Sequence, residues 1–472
     1  MMIANRFRPH EYQGDALSFM LRREAAALFA DPGMGKTAVA LMLARILQQR
    51  TLVVAPLRVV FGAWPQEINK WDQFRRSFSW RILHDKNKFI QDRRLILPGL
   101  THVDMINPEG LEWFEEWLED QPFDGEYGLL VMDESTLFKR WSSNRTKIMK
   151  RIAKRFPRRY ILTGTPTPNS MLDLFPQMFL LDGGEALGKH ITKYQDKYFR
   201  PVVNRGKRSL KTGIQGKYIS WEIRDGSEKK IQRLIRPISY RLDAEDWLDL
   251  PPVVHNEIPV RLDLRARRVY KEMEKKLATE LDGVKVVAGS AGTAYGKCRQ
   301  IATGMLYDRD GNVLGVHKAK INALKELRDE YWGRPLLILY NFNPELEALQ
   351  KEFGARLPVI RGKTPPKTAA AIQAAWNARE IGLLACQSRT VAHGQNLQYG
   401  GNDMVWYSPT DDPEIYDQAN WRLRRQGVDG TVRIHSLIAT GTVERLITRR
   451  NHHKEERQMS LLNALRRELR AS

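Results

Sequence analysis

The segment Ala30-Asp31-Pro32-Gly33-Met34-Gly35-Lys36-Thr37 constrains the fold of this chain more than any other. The apolar run 25–30 before it reads as a buried strand, and Ala38, Leu41, Met42 and Ile46 after it recur at helical spacing. A strand, a glycine-rich loop and a helix in that order open a parallel α/β sheet. They also aim successive backbone N–H groups, at the positive end of the helix, toward an anion. Gly33, Met34 and Gly35 would wrap phosphate oxygens, Lys36 would reach the β and γ phosphates, and Thr37 would hold Mg²⁺. The strict pattern has glycine where Ala30 stands. A second Gly362-Lys363-Thr364 has Leu357 at that first position, two prolines after it and no glycine-rich loop before it, so it reads as an unrelated turn.

A chain of 472 residues has room for two or three domains. Its formal net charge of +21 implies a polyanionic partner, nucleic acid before membrane, because no amphipathic lipid-facing helix stands out. The charge is patchy: residues 137–160 hold ten Lys or Arg and no acid. Cys298 and Cys386 are far apart and lack metal-ligand spacing, which suits a reducing compartment. His452-His453 has no supporting ligands and reads as polar surface. No apolar run approaches the ~20 residues that span a bilayer, and the N-terminus does not read as a signal peptide. A cytoplasmic or nuclear protein, neither secreted nor membrane-bound, is expected.

Strands are expected at 25–30, 51–55, 129–132 and 159–163, and again at 335–340, 357–360, 381–387, 404–407 and 432–437. Helical stretches, among them 344–353 and 367–377, separate them. This alternation predicts two doubly wound parallel-sheet lobes, of which only the first carries the phosphate loop. The expected division is 1–182 for the first lobe, 183–252 for a basic insertion and linker, and 253–472 for the second lobe with a basic helical tail. A helix is expected over 264–281.

Gly128-Leu129-Leu130-Val131-Met132-Asp133-Glu134 is an apolar strand ending in two adjacent carboxylates. About a hundred residues after a phosphate loop, such a pair suits nucleotide hydrolysis: Asp133 to organise Mg²⁺ and Glu134 to take a proton from water. Arg422 and Arg425, at i and i+3 on an expected helix, would share a face and stabilise charge on a transferring γ-phosphate. The helix expected over 144–156 has Ile148, Met149, Ile152 and Phe156 on an inner stripe. Its Lys147, Lys150 and Lys154 face outward, a candidate contact for nucleic-acid phosphates. Trp64, Trp71, Trp376 and Trp406 read as core.

These segments resemble a known family. Asp133-Glu134-Ser135-Thr136 is similar to the DEAH/DExx box of superfamily 2 helicases, with Ser-Thr in place of Ala-His. Leu162-Thr163-Gly164-Thr165-Pro166-Thr167-Pro168-Asn169 resembles the LTGTPxxN motif of SNF2-type proteins. Arg8-Pro9 with Tyr12-Gln13 resembles their adenine-contacting segment, and Ala55-Pro56-Leu57 with Trp64 their motif Ia. Later, Lys297-Cys298-Arg299-Gln300-Ile301, Gly394-Gln395-Asn396-Leu397-Gln398, the run from Gln418 to Gly427, and Thr442-Val443-Glu444 resemble the second-lobe motifs in family order. Ser135-Thr136 in place of Ala-His, and Arg424 where the family has histidine, are departures.

The resemblance implies an α/β protein of two RecA-like lobes with a mainly helical insertion between them, acting as an ATP hydrolase of the SNF2-like DNA translocase family. It implies ATP and Mg²⁺ as ligands and double-stranded DNA as partner, with forked or single-stranded DNA also conceivable. Catalysis would fall to Lys36, Asp133, Glu134, Arg422 and Arg425. Gln13, Gly33, Met34, Gly35, Lys36, Thr37 and Arg425 would bind nucleotide, with Thr37 and Asp133 on the metal. Arg58, Thr163, Gly164, Thr165, Gly394, Asn396, Gln398 and Gln418 would couple nucleotide to nucleic acid. The alternatives are a strand-separating or branch-migrating helicase, a non-motor nucleic-acid-binding module and a metabolic P-loop kinase. The two lobes, the arginines of the last motif and the basicity oppose the kinase.

Overall fold

The computed structural model describes residues 6–84, 99–120, 127–168, 170–208, 215–331, 333–392 and 396–451. Asn169, Gly394, Gln395, His452-His453 and the basic tail of the sequence reading lie outside them. The chain forms two compact units, the first built from 6–202 with 221–248, the second chiefly from 249–451.

The first unit centres on a seven-stranded sheet. Its strands are β1 (Ala25–Ala30), β2 (Thr51–Val54), β3 (Phe78–Ile82), β4 (Thr101–Ile106), β5 (Leu129–Asp133), β6 (Arg158–Thr163) and β9 (Ser239–Leu242). Their spatial order is β3-β4-β2-β5-β6-β1-β9, and every pairing is parallel. β1, β2 and β5 are buried along nearly their whole length, which is why they read from sequence as continuous apolar runs. β7 (Phe199–Arg208) and β8 (Gln215–Ile223) form a separate two-stranded sheet.

In the second unit, β10 (Val253–Val260), β15 (Leu336–Tyr340), β16 (Val359–Ile360), β17 (Leu383–Gln387), β18 (Asp403–Trp406) and β19 (Val432–Ala439) form an all-parallel sheet, ordered β10-β19-β18-β15-β17-β16. Two antiparallel pairs lie apart from it: β11 (Ala278–Leu281) with β12 (Val284–Val287), and β13 (Met305–Tyr307) with β14 (Val313–Gly315). Crossover helices between parallel strands make both units doubly wound, as the alternation predicts.

Three helix expectations need correction. The helix expected over 264–281 ends at Lys276, where Leu277 takes a left-handed φ of 57° and the chain turns into β11. The helix expected over 144–156 is Asn144–Ala153, with the Ser143 side chain accepting the Thr146 N–H at its start. The helix expected to carry Arg422 and Arg425 is Pro413–Asn420 and stops before either. The Asn420 carboxamide oxygen is held by the buried Trp406 Nε1, and the chain then bends to bury Leu423 in the core and turns at Gly427 with φ 83°.

Candidate nucleotide site

In a parallel sheet all carboxyl ends of the strands face one edge, where ligands of open α/β sheets bind. β5, β6 and β1 are neighbours, with Asp133 opposite Leu162 and Phe29 opposite Thr163. That register brings the phosphate loop, the paired carboxylates and the 163–168 loop side by side.

The phosphate loop leaves β1 at the buried Ala30 and enters the helix Lys36–Leu47 through Gly35. Gly33 and Gly35 have φ of 89° and 74°, a left-handed backbone that glycine adopts without strain. At Gly35 a Cβ would also lie 2.4 Å from Gln13 Nε2. Gln13 is buried over the loop: its Nε2 donates to the Met34 carbonyl at 3.2 Å, and its Oε1 accepts the His10 N–H at 3.0 Å. Lys36 folds back on the loop, Nζ donating to the carbonyls of Ala30 at 2.7 Å and Asp31 at 3.3 Å. Burial lowers its ammonium below the ordinary lysine value, opposed by the charges of Glu134 and Asp133. Thr37 is half-buried in the first turn.

Asp133 is buried at the end of β5. Trp64 Nε1 donates to its Oδ2 at 2.9 Å and the Glu134 N–H to its Oδ1 at 3.1 Å. Burial raises its carboxyl above the usual range, opposed by the Trp64 hydrogen bond and the Lys36 charge. Glu134 is half-buried and has a left-handed φ of 53°, rare for a residue with a side chain. Thr163 is buried and accepts the Thr165 N–H on Oγ1 at 3.1 Å. Gly164 passes so close to the phosphate loop that a Cβ there would stand 3.3 Å from the Ala30 carbonyl oxygen. Arg58 is half-buried in the short helix Leu57–Phe61 beyond β2, and burial lowers its guanidinium from the usual value.

Three residues of this edge have no role in the sequence reading. Trp64, read there as core, is core and also the donor that orients Asp133. Gln177 is a lone carboxamide in the apolar helix Leu174–Asp182, a visible irregularity. Arg241 on β9 is fully buried, its Nη2 2.6 Å from Asp31 Oδ1 and its Nη1 3.3 Å from the Phe29 carbonyl. The second Asp31 oxygen accepts the Ala244 N–H at 3.0 Å. A basic residue within a weakly periodic, basic segment gave no sign of that partner 210 positions earlier.

In the second unit, Asn396 donates its N–H to Gln373 at 3.2 Å and accepts from Asn377 at 2.8 Å. Gln398 Nε2 donates to the Gln426 carbonyl at 3.3 Å, so the 396–398 segment touches the 421–427 turn. Gln418 is buried in the helix Pro413–Asn420. Arg425 Nε donates to the Trp421 carbonyl at 3.3 Å, and burial lowers its guanidinium. Arg422 is half-buried in the same turn. Glu444, in the Thr-Val-Glu motif, has a structural partner: it accepts from the fully buried Lys320 ammonium at 2.6 Å.

The basic helix Asn144–Ala153 is partly committed to packing. Arg151 makes a bidentate pair with Glu115 at 2.5 and 2.6 Å, and Lys150 lies 3.7 Å from the centroid of the Trp141 ring. Lys147 and Lys154 remain exposed. Among the described residues no cluster of His, Cys, Asp and Glu could hold a metal alone, and no helix is long and apolar enough to cross a membrane.

With this geometry in place, similarity assigns a class. The family model of the SNF2-related domain matches residues 12–309. The chain therefore belongs to the SNF2-related family of helicase-like, ATP-hydrolysing enzymes. It is 32% identical to the putative protein p41 of Acyrthosiphon pisum secondary endosymbiont phage 1, covering 98% of this chain and 99% of that one. It is 25% identical to the Bos taurus DNA annealing helicase and endonuclease ZRANB3 and 22% identical to the putative ATP-dependent helicase/translocase YwqA of Bacillus subtilis. Those matches cover 98% and 93% of this chain but only 41% and 47% of the two relatives. Among solved structures it is similar to the Sulfolobus solfataricus SWI2/SNF2 ATPase core in complex with dsDNA, at 20% identity and a TM-score of 0.42, over 95% of this chain and 92% of that one.

Proposed function

We propose that this chain is a motor that translocates along double-stranded DNA, coupling ATP hydrolysis to closure of its two lobes. The observation that carries the reading is the meeting of Lys36, Asp133, Glu134 and the 163–165 loop at the carboxyl ends of three adjacent strands of one sheet. Family membership, the net charge of +21 and relatives named as a DNA annealing helicase and a helicase/translocase support it.

In this reading ATP phosphates enter the loop Gly33–Thr37, and Lys36 exchanges the carbonyls of Ala30 and Asp31 for phosphate oxygens. Gln13 lies beside the adenine. Thr37 and Asp133 fit Mg²⁺: a hydroxyl and a carboxylate suit an ion that keeps several waters, and each Asp133 oxygen retains acceptor capacity beside its one named donor. Bound there, Mg²⁺ would neutralise charge on the β and γ phosphates. Glu134 takes the proton of the attacking water. Arg422 and Arg425, from the second lobe, stabilise the charge spreading over the transferred group, and Arg58, Thr163, Gly164, Thr165, Asn396, Gln398 and Gln418 couple that event to the duplex. Duplex is held through its phosphates, with the exposed Lys147 on the helix Asn144–Ala153 and Lys154 just after it among the contacts.

The test is the ATPase rate with no polymer, duplex DNA, single-stranded DNA and RNA, each at two salt concentrations. Strong stimulation by duplex that fades at high salt is expected. Preference for single strands or RNA would replace the motor with a strand-separating helicase, and no stimulation would overturn both.

A further inference from the structure

We propose that Gln177 is a positioning residue for hydrolysis, holding the turn that carries Glu134 and tying it to the 163–168 loop. The inference rests on Glu134 being the general base, and deepens that reading.

Gln177 is fully buried in a helix whose neighbouring inner residues, among them Leu174, Phe175, Met178 and Leu181, are apolar. A carboxamide placed there without partners costs about 1–3 kcal/mol, so packing alone would favour leucine. Its bonds say what it does instead. Oε1 accepts the Ser135 hydroxyl at 2.6 Å, and Nε2 donates to the carbonyls of Pro166 at 2.8 Å and Asp173 at 2.7 Å. Two carbonyl acceptors on the nitrogen fix the orientation of the amide. Both of its protons are used.

Ser135 follows Glu134 directly, and Glu134 has the left-handed backbone described above. Such a conformation costs on the order of 1 kcal/mol and persists where surrounding bonds over-determine it. Here the bonds are Glu134 N–H to Asp133 Oδ1 before the turn, Leu137 N–H to the Glu134 carbonyl within it, and Ser135 to Gln177 after it. Pro166 belongs to the loop whose Gly164 lies against the Ala30 carbonyl, the same carbonyl that Lys36 holds. One side chain thus links the base, the 163–168 loop and the phosphate loop. Ser135 becomes half of the link.

The experiment compares the full chain with Gln177→Leu, Ser135→Ala and the double variant, measuring kcat, KM for ATP and affinity for a fluorescent ATP analogue. Losses in kcat on the order of tenfold to a hundredfold are expected for each single variant, with KM and affinity held within about twofold, because a base displaced by a fraction of an ångström still sees bound nucleotide. The double variant should be no worse than the worse single, since the bond that Ser135→Ala removes is already lost in Gln177→Leu. Ser135→Ala removes one atom and keeps the test standing if Gln177→Leu fails to fold. A normal kcat in Ser135→Ala, losses that multiply in the double variant, or a rise in KM at constant kcat would each overturn the proposal. Glu134→Gln, run in parallel, separates the two layers. Hydrolysis persisting there sinks the base itself, whereas a dead Glu134→Gln beside a fully active Gln177→Leu sinks Gln177 alone.

Discussion

The Arg241–Asp31 pair makes a testable claim about how the phosphate loop is held. Replacing Arg241 by methionine keeps much of the side-chain volume and removes the cation. Arg241 is 0% exposed and Asp31 13% exposed, so the carboxylate would be left with the Ala244 N–H and little water. Breaking a buried pair from one side costs about 3–5 kcal/mol. For a unit of this size each kcal/mol is worth about 2–4 °C, so the melting of the first unit should fall by roughly 6–20 °C. Calorimetry on the full chain reads this directly. Asp31→Ala leaves the guanidinium with Asp243, 3.7 Å away, and the Phe29 carbonyl, and should cost less than Arg241→Met, while Arg241→Met with Asp31→Ala should recover part of the Arg241→Met loss, because the Asp31 carboxylate is then no longer buried without its cation. A single Arg241→Met variant melting within about 2 °C of the parent would refute the reasoning.

Other consequences follow from the same edge and from the second unit. Trp64→Phe deletes the donor to Asp133, which should raise that carboxyl further, lower kcat and move the acid limb of the ATPase pH profile upward; an unmoved limb would release Asp133 from the essential titration. Arg425→Ala should lower turnover with little loss of ATP affinity, read by steady-state kinetics beside equilibrium binding of a fluorescent analogue; a large affinity loss instead would make it a binding residue. His317 is held neutral by burial, its pKa pulled down to about 4, with Nδ1 accepting the Ala319 N–H and Nε2 facing the Ile301 carbonyl. The unfolded chain binds this proton first, so His317 contributes stability above pH ~6.5 that is lost as pH falls toward 4, on the order of 3 kcal/mol in all. His317→Gln should flatten the dependence of stability on pH across that window, and an unchanged slope would contradict it.

What could be read from sequence was what burial made uniform. β1, β2, β5, β6, β15, β17, β18 and β19 are largely buried strands, most of their residues apolar, and each was legible. β3 and β4 were not, because they carry the buried polar network of Arg81, His102 and Asp104, joined by Arg50 and Tyr127 from outside. Asp104 is fully buried yet held well below the usual carboxylate range by His102 and Arg81, which prevail over its desolvation. A charge satisfied by residues 23 and 54 positions away looks, in one dimension, like a surface charge. β10 escaped notice because most of it is exposed, and β9 because it lies in a basic stretch. In the site, residues of the phosphate loop and of the Asp-Glu pair were legible as contiguous motifs. Trp64, Gln177 and Arg241 act through partners distant in sequence, which only the folded packing of helices and strands at the sheet edge brings within reach.

The central claim is movement along intact duplex, and displacement of a third strand from a DNA triplex tests it most directly. With ATP the chain should release the third strand, more slowly as the track before it lengthens, while the duplex strands stay paired and Glu134→Gln releases nothing. Separated duplex strands, or release that is indifferent to ATP, would contradict the account.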